Sequence, residues 1–153
     1  MHPSISITTV SPQQGLAIRE RVPNAQIGPR MGEFFGELAA YLGRQRLTMT
    51  GPPFAIYHEY NMESTDMEAG FPVSGMPAGE GRIKPCMLPG GKVVTATHVG
   101  PYDKLMDTYN LMMKWMAENG HVPKQLMWES YLSDPDVVKD PDKYVTQIFW
   151  PIE

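Results

Sequence analysis

The chain of 153 residues carries a single cysteine, Cys86, and only four histidines. One thiol closes no internal disulfide and builds no cysteine-rich zinc site, and it fits a reducing compartment. The histidines are scattered, with no pair at i,i+4 and no HExxH, so neither a metal nor another cofactor is expected. No apolar run approaches the roughly 18 residues of a membrane span, and the N-terminus lacks the apolar core of a signal peptide. A cytoplasmic protein away from the membrane is the expectation. Basic residues form no cluster, and the net charge of -4 argues against direct contact with DNA. The glycine-rich segments make no GxGxxG or P-loop that opens a helix. Ser130 has no Gly-x-Ser-x-Gly elbow, and Cys86 has only Lys84 as a basic neighbour in sequence. Nucleotide cradles and activated nucleophiles are thus without support.

What is present is the composition of a soluble globular protein, 42% hydrophobic and 20% charged. Fifteen prolines and fourteen glycines break the chain into many short elements. The twelve methionines are numerous, and methionine fills irregular space and adapts to varied shapes.

Strand composition runs over 5–10 and, after a break at 11–15, over 16–22. Gly28-Pro29 opens a helix with proline in its first turn. Met31, Phe34, Phe35, Leu38 and Leu42 then recur at steps of three and four, the stripe of a helix lying on a sheet. Strands follow at 54–60 and 66–73. Residues 74–81, rich in glycine and proline, read as a linker. Beyond it, 82–87 and 92–99 flank Pro89-Gly90-Gly91 as strand, turn and strand. Gly100-Pro101 opens a second helix with the stripe Tyr102, Leu105, Met106, Tyr109, Met112, Met113 and Met116. Strands at 126–132 and 144–152 enclose a polar loop with two Asp-Pro steps, at Asp134-Pro135 and Asp140-Pro141.

The second half repeats the first. Phe34-Phe35 answers to Leu105-Met106, Tyr57 to Trp128 and Tyr60 to Tyr131, each about 71 residues on, and Phe71-Pro72-Val73 answers to Trp150-Pro151-Ile152 about 79 on. The fold class is therefore α+β: two strand-helix-strand-strand modules, 1–73 and 82–153, in a single domain with pseudo-twofold symmetry. The expectation is an antiparallel sheet with helices on one face and a ligand cleft on the other, since clefts between modules commonly hold small ligands. Whether the sheet edges pair into a homodimer is open.

Leu126 to Leu132 is the stretch to which the functional reading attaches. Its alternation sets Met127, Glu129 and Tyr131 on one face and Leu126, Trp128 and Leu132 on the other. A carboxylate among such bulky neighbours either meets water or stands where something is held, and burial there disfavours its ionised form unless a cation or donors compensate. The repeat sets His58 opposite Glu129 and Tyr60 opposite Tyr131, so all four converge if either pair faces the cleft. Glu68 and Phe149, on the last strand of each half, are further wall residues. Tyr102 at the helix start completes the candidate ligand contacts.

His98-Val-Gly-Pro-Tyr102, the helix with Tyr109 and Trp115, Trp128-Glu-Ser-Tyr-Leu-Ser-Asp-Pro135 and the closing Trp150-Pro-Ile152 together resemble the GyrI-like small-molecule-binding domain. That domain is similar to the effector-binding domains of AraC-type and multidrug-responsive MerR-type regulators. The resemblance implies a twofold fold with a ligand cleft, in which a glutamate on the penultimate strand neutralises lipophilic cations; Glu129 holds the matching position. It also implies a second possibility. Some stand-alone members look like hydrolases that open cyclopropane-bearing alkylating compounds, which would make Glu129 a general base with His58 or Tyr131 as its polar partner. A third is inhibition of gyrase through a protein partner. No helix-turn-helix precedes Ile5, so a role as a transcription factor by itself is not expected.

Overall fold

The computed structural model describes residues 4–75, 77–134 and 137–153. Pro135 of the first Asp-Pro step lies outside the described residues. In chain order the elements are β1 (Ile5–Val10), β2 (Gln13–Pro23), α1 (Ile27–Gln45), β3 (Phe54–Tyr60), β4 (Ser64–Pro72), β5 (Ile83–Leu88), β6 (Gly91–Val99), α2 (Leu105–Glu118), β7 (Met127–Tyr131) and β8 (Val145–Pro151). Short 3-10 turns, Asn24–Gln26 and Tyr102–Lys104, precede the two helices. The class is α+β with antiparallel strand pairing throughout.

Two compact units emerge, Ser11–Gly90 and a second made of Met1–Val10 with Gly91–Glu153. The first orders its strands β3-β4-β2-β5 and the second β1-β6-β8-β7. These units differ from the halves of the sequence repeat. Strands flank Pro89-Gly90-Gly91 as expected, but they pair elsewhere: β5 with β2, and β6 with β1. The nearest neighbours in sequence are not the nearest in space because hydrogen-bonded ladders form elsewhere. Gly90 shows how tight the connection is, since a Cβ there would come within 2.5 Å of the Pro12 ring.

Each helix lays an apolar stripe on its own sheet. Phe34, Leu38, Tyr41 and Leu42 of α1 are buried, as are Leu105, Thr108, Met112 and Met116 of α2. α1 starts at Ile27, so Gly28-Pro29 lies in its first turn, whereas Gly100-Pro101 stands before the 3-10 turn that leads into α2. The two Gly-Pro pairs are thus not equivalent positions. Pairing registers give the true equivalence. Isolated bridges join Met49 to Val73 and Pro123 to Ile152, so the numbers differ by 74 before the last strand (49 to 123) and by 79 along it (73 to 152). The same two offsets relate Ala55↔Ala69 to Glu129↔Ile148 and Tyr57↔Met67 to Tyr131↔Thr146. The counterpart of Glu129 is therefore Ala55, not His58, and that of Tyr131 is Tyr57, not Tyr60. The offset of about 71 read from matched apolar and aromatic residues coincides with neither true value: the numbers differ by 78 ahead of the helices (16 to 94) and by 74 beyond them, because α1, at 19 residues, is longer than α2, at 14.

The close approach of strands sets a firm test. A Cβ at Gly70 would stand 2.4 Å from the Leu16 carbonyl oxygen and 2.7 Å from the Phe54 ring. Gly36, in mid-helix, meets nothing within 4 Å. Gly70→Ala is expected to lower unfolding free energy by at least about 2 kcal/mol, while Gly36→Ala raises it by up to about 1 kcal/mol. Urea titrations of the two variants check this.

Candidate functional site

The second unit brings the chemistry together. Directly opposed residues of antiparallel strands point to the same side, so Glu129, Ile148, Ala96 and Ile5 form one row across β7, β8, β6 and β1. Tyr131, Thr146 and His98 form the next row on that same side. His98 contacts Thr108 of α2, and Trp150, also on this side, meets Tyr109 of α2 edge-on. Glu129 therefore stands on the helix-bearing face of its sheet. The opposite face, where the cleft was expected, carries Trp128 stacked on Phe149 with ring centroids 5.3 Å apart. That stack takes Phe149 away from Glu129.

Glu129 is 1% exposed. Its Oε1 accepts a hydrogen bond of 2.7 Å from the Tyr131 hydroxyl. Tyr102, the first residue of the 3-10 turn, sets its ring edge-on to Tyr131 at 5.9 Å and stacks on Tyr144 at 5.0 Å. Three tyrosine rings thus gather about one buried carboxyl, with Tyr102, 39% exposed, the most open of them to solvent. Burial chiefly, and then Tyr144, Glu129 and Asp134, push the Tyr102 phenol above its usual value. Fully buried Thr146, next to Tyr131 in its row, has a hydroxyl with no hydrogen-bond partner among the described residues. The arrangement offers a buried carboxyl group, aromatic faces and a buried hydroxyl.

His58 and Glu68 belong to the first unit. There they pair with each other, Nε2 to Oε1 at 2.8 Å. The face is settled by neighbours: Glu20 and Phe71 meet Arg30 and Phe35 of α1, so Glu68, Asp66 and Arg19, at the alternate positions, point away from that helix. Arg19 grips Asp66 through two bonds of 3.1 and 2.9 Å and holds its carboxyl below the usual range. His58 and Glu68 are thus parts of a half-buried polar network on one sheet face. Tyr60, at the end of β3, is 72% exposed. Of the candidate residues, Glu129, Tyr131 and Tyr102 meet within the second unit, Phe149 stands on the opposite face of its sheet, and His58, Glu68 and Tyr60 belong to the first unit. Sequence reasoning missed Tyr144. It stands at the start of the last strand, just after a polar loop, where strand alternation says nothing of Tyr102, and only a three-dimensional neighbour reveals it.

Other chemistry is weak. Burial, and secondarily the charge of Glu68, pushes the Cys86 thiol up to about 12, which leaves it protonated and unreactive at neutral pH. Among the described residues, no three His, Cys, Asp or Glu side chains are grouped to hold a metal ion. No described helix is long and apolar enough to cross a membrane. A shallow hollow of about 430 Å³ lies between the end of α1 and residues 77–80, where Glu80 is engaged by Arg44 at 2.9 Å.

Residues 3–153 match the GyrI-like small molecule binding domain. The chain belongs to that family. EcmrR is similar in two solved forms. Its C-terminal domain is 26% identical with a TM-score of 0.84, over 100% of this chain and 99% of that one. EcmrR in complex with DNA is 25% identical with a TM-score of 0.88, and this GyrI-like chain spans 58% of its length. SAV2435 bound to tetraphenylphosphonium (11% identity, TM-score 0.66, 98% and 94% covered) and a hydrolase encoded by lin2189 from Listeria innocua (16%, 0.70, 99% and 93%) share the fold. No curated protein matches the sequence.

The tyrosine cluster makes a spectroscopic prediction. A high-pH absorbance titration should show a phenolate forming above the ordinary value of 10 that is lost in Tyr102→Phe and moved downward in Glu129→Gln. The raised value means Tyr102 contributes stability that is full below pH 10 and is lost as pH climbs through its folded pKa. Tyr102→Phe should flatten the stability profile in that range.

Proposed function

We propose that this GyrI-like domain binds lipophilic cations beside Glu129, with Tyr102, Tyr131 and Tyr144 as the aromatic wall. The observation that carries the reading is a 1% exposed carboxylate with a tyrosine hydroxyl on one oxygen and tyrosine rings alongside. A buried carboxylate is costly unless something compensates. A permanent, weakly hydrated cation suits such a place, because it gives Coulomb attraction to the carboxylate and cation-π contact with the rings at little desolvation cost to itself. Such contacts contribute about 0.5–2 kcal/mol per ring. The tetraphenylphosphonium bound to SAV2435 has this chemistry and is the natural probe.

The hydrolase reading, in which Glu129 activates a water with help from His58 or Tyr131, draws less support. His58 is engaged with Glu68 on the first unit, and the Tyr131 hydroxyl is already donated to Glu129. Gyrase inhibition through a protein partner has no particular surface in its favour.

Calorimetric titration with tetraphenylphosphonium should give saturable binding that weakens at least about tenfold, or 1.4 kcal/mol, in Glu129→Gln. Tyr102→Ala should weaken it by about 2- to 30-fold, the range of one cation-π contact. Equal affinity in wild type and Glu129→Gln would remove the carboxylate from the proposal. Mass spectrometry of electrophilic cyclopropane compounds after incubation decides the other reading. Water-added product from wild type and not from Glu129→Gln would make the protein a hydrolase.

A further inference from the structure

We infer that His98 is a positioning residue for the cation site: it holds Tyr102 against Tyr131 and Tyr144, and so sets the aromatic wall beside Glu129. The inference rests on the binding reading above for its ligand, and on hydrogen-bond geometry for the rest.

His98 lies at the end of β6, 7% exposed, in the row with Thr146 and Tyr131. Both ring nitrogens are engaged. Nε2 stands 3.1 Å from the Pro101 carbonyl oxygen and Nδ1 stands 2.7 Å from Thr108 Oγ1 on α2. A carbonyl only accepts, so Nε2 must carry the proton; in the neutral ring Nδ1 then accepts from the Thr108 hydroxyl. One side chain thus bridges the helix and the turn before it.

That turn is the one that carries Tyr102. Gly100 adopts φ of +142°, a conformation that favours glycine, and its N–H donates to the Tyr144 carbonyl at 2.8 Å. Pro101 follows, and its carbonyl accepts from Lys104 N–H at 3.1 Å as well as from His98. The imidazole therefore fills the second acceptor position of the carbonyl immediately before Tyr102. Through Gly100 the same turn is tied to the backbone of Tyr144. Both partners in the 5.0 Å tyrosine stack depend on it.

The first copy of the repeat shows that this device is not a general need of the fold. Leu16↔Phe71 corresponds to Val94↔Trp150, which places Glu20 where the second copy has His98. Glu20 also reaches its helix, through Arg30, but a carboxylate donates nothing to a turn carbonyl. There the 3-10 turn is held by Asn24 instead, through its backbone N–H on Glu63 and its side-chain amide on Asn61. The bifunctional histidine occurs in the copy that holds the buried carboxylate.

The test is a double-mutant cycle on the full chain with tetraphenylphosphonium as probe, alongside NMR of the tyrosine rings. His98→Phe should weaken the probe at least about fivefold, His98→Gln, which keeps a donor and an acceptor, should recover to within about twofold, and His98→Phe added to Tyr102→Ala should change affinity less than about twofold. Equal losses in the two backgrounds would overturn the assignment, because His98 would then act elsewhere than through Tyr102. Ring-to-ring NOEs between Tyr102 and Tyr144 read the same claim without ligand: they should vanish in His98→Phe and persist in His98→Gln. If they persist in folded His98→Phe, the inference fails whatever the probe does. If wild type binds no probe while the NOEs behave as stated, the binding reading falls and the positioning role stands. Should His98→Phe not fold, Thr108→Val removes the hydroxyl that fixes the ring at nearly constant shape; unchanged NOEs and affinity there would overturn the inference equally.

Discussion

Antiparallel pairing of β8 with both β6 and β7 is the constraint from which the site follows. It opposes Glu129 to Ile148 and Ile148 to Ala96, and it opposes Tyr131 to Thr146 and Thr146 to His98. Because side chains alternate with a period of two, a slip of one residue would turn the whole set to the other side of the sheet. The register therefore decides whether the carboxylate faces α2 and the tyrosines or joins Trp128 and Phe149 on the opposite face. Buried Ile148 and Ala96 at the centre of the row make that slip costly, since it would expose them and bury alternates such as Gln147 and Thr97.

A buried carboxylate is the expensive feature that this register creates. Its Tyr131 hydrogen bond lies within the same strand, two residues along, so the donor arrives automatically with the fold. Tyr102 and Tyr144 arrive from separate segments and need their own support. That support is polar and local: the Gly100–Tyr144 backbone bond and the two bonds of His98. The division is physically sensible. Sheet pairing places the carboxyl within narrow limits, while a short turn places the aromatic ring of Tyr102.

Duplication separates scaffold from function. Both copies keep the same ladders, the same bridge before the last strand and a helix stripe of buried apolar residues. At the position of Glu129 the first copy has Ala55, also buried and harmless there. The first copy spends its polar residues on ion pairs instead, with Arg30 and Arg82 on either hand of the Phe34 ring and joined to Glu20, Glu33 and Glu37. Such pairs are partly exposed, so their contribution is modest and screened by salt. The buried carboxyl beside tyrosine rings occurs in the second copy, and the first has ion pairs across its sheet and helix instead.

Local chemistry by itself determined the α+β class, most strand and helix positions and the existence of the repeat, and it singled out the carboxylate of Glu129 with Tyr131 on the same strand face. Each of these rests on short-range periodicity, on glycine and proline at element ends, or on an unusual residue within a strand. The partners of β5 and β6, the approach of Tyr144 to Tyr102 and the pairing of His58 with Glu68 were decided only by tertiary structure. Turn residues between two strands do not say whether those strands pair with each other or with others. The repeat has no single offset, because α1 is longer than α2 and the difference in numbering falls from 78 ahead of the helices to 74 beyond them; reading 71 in place of 74 exchanges Ala55 for His58 as the mate of Glu129. Alternation along a strand names two faces but not which one a helix will cover. That choice belongs to packing, which sums over the whole sheet and appears in no single stretch of sequence.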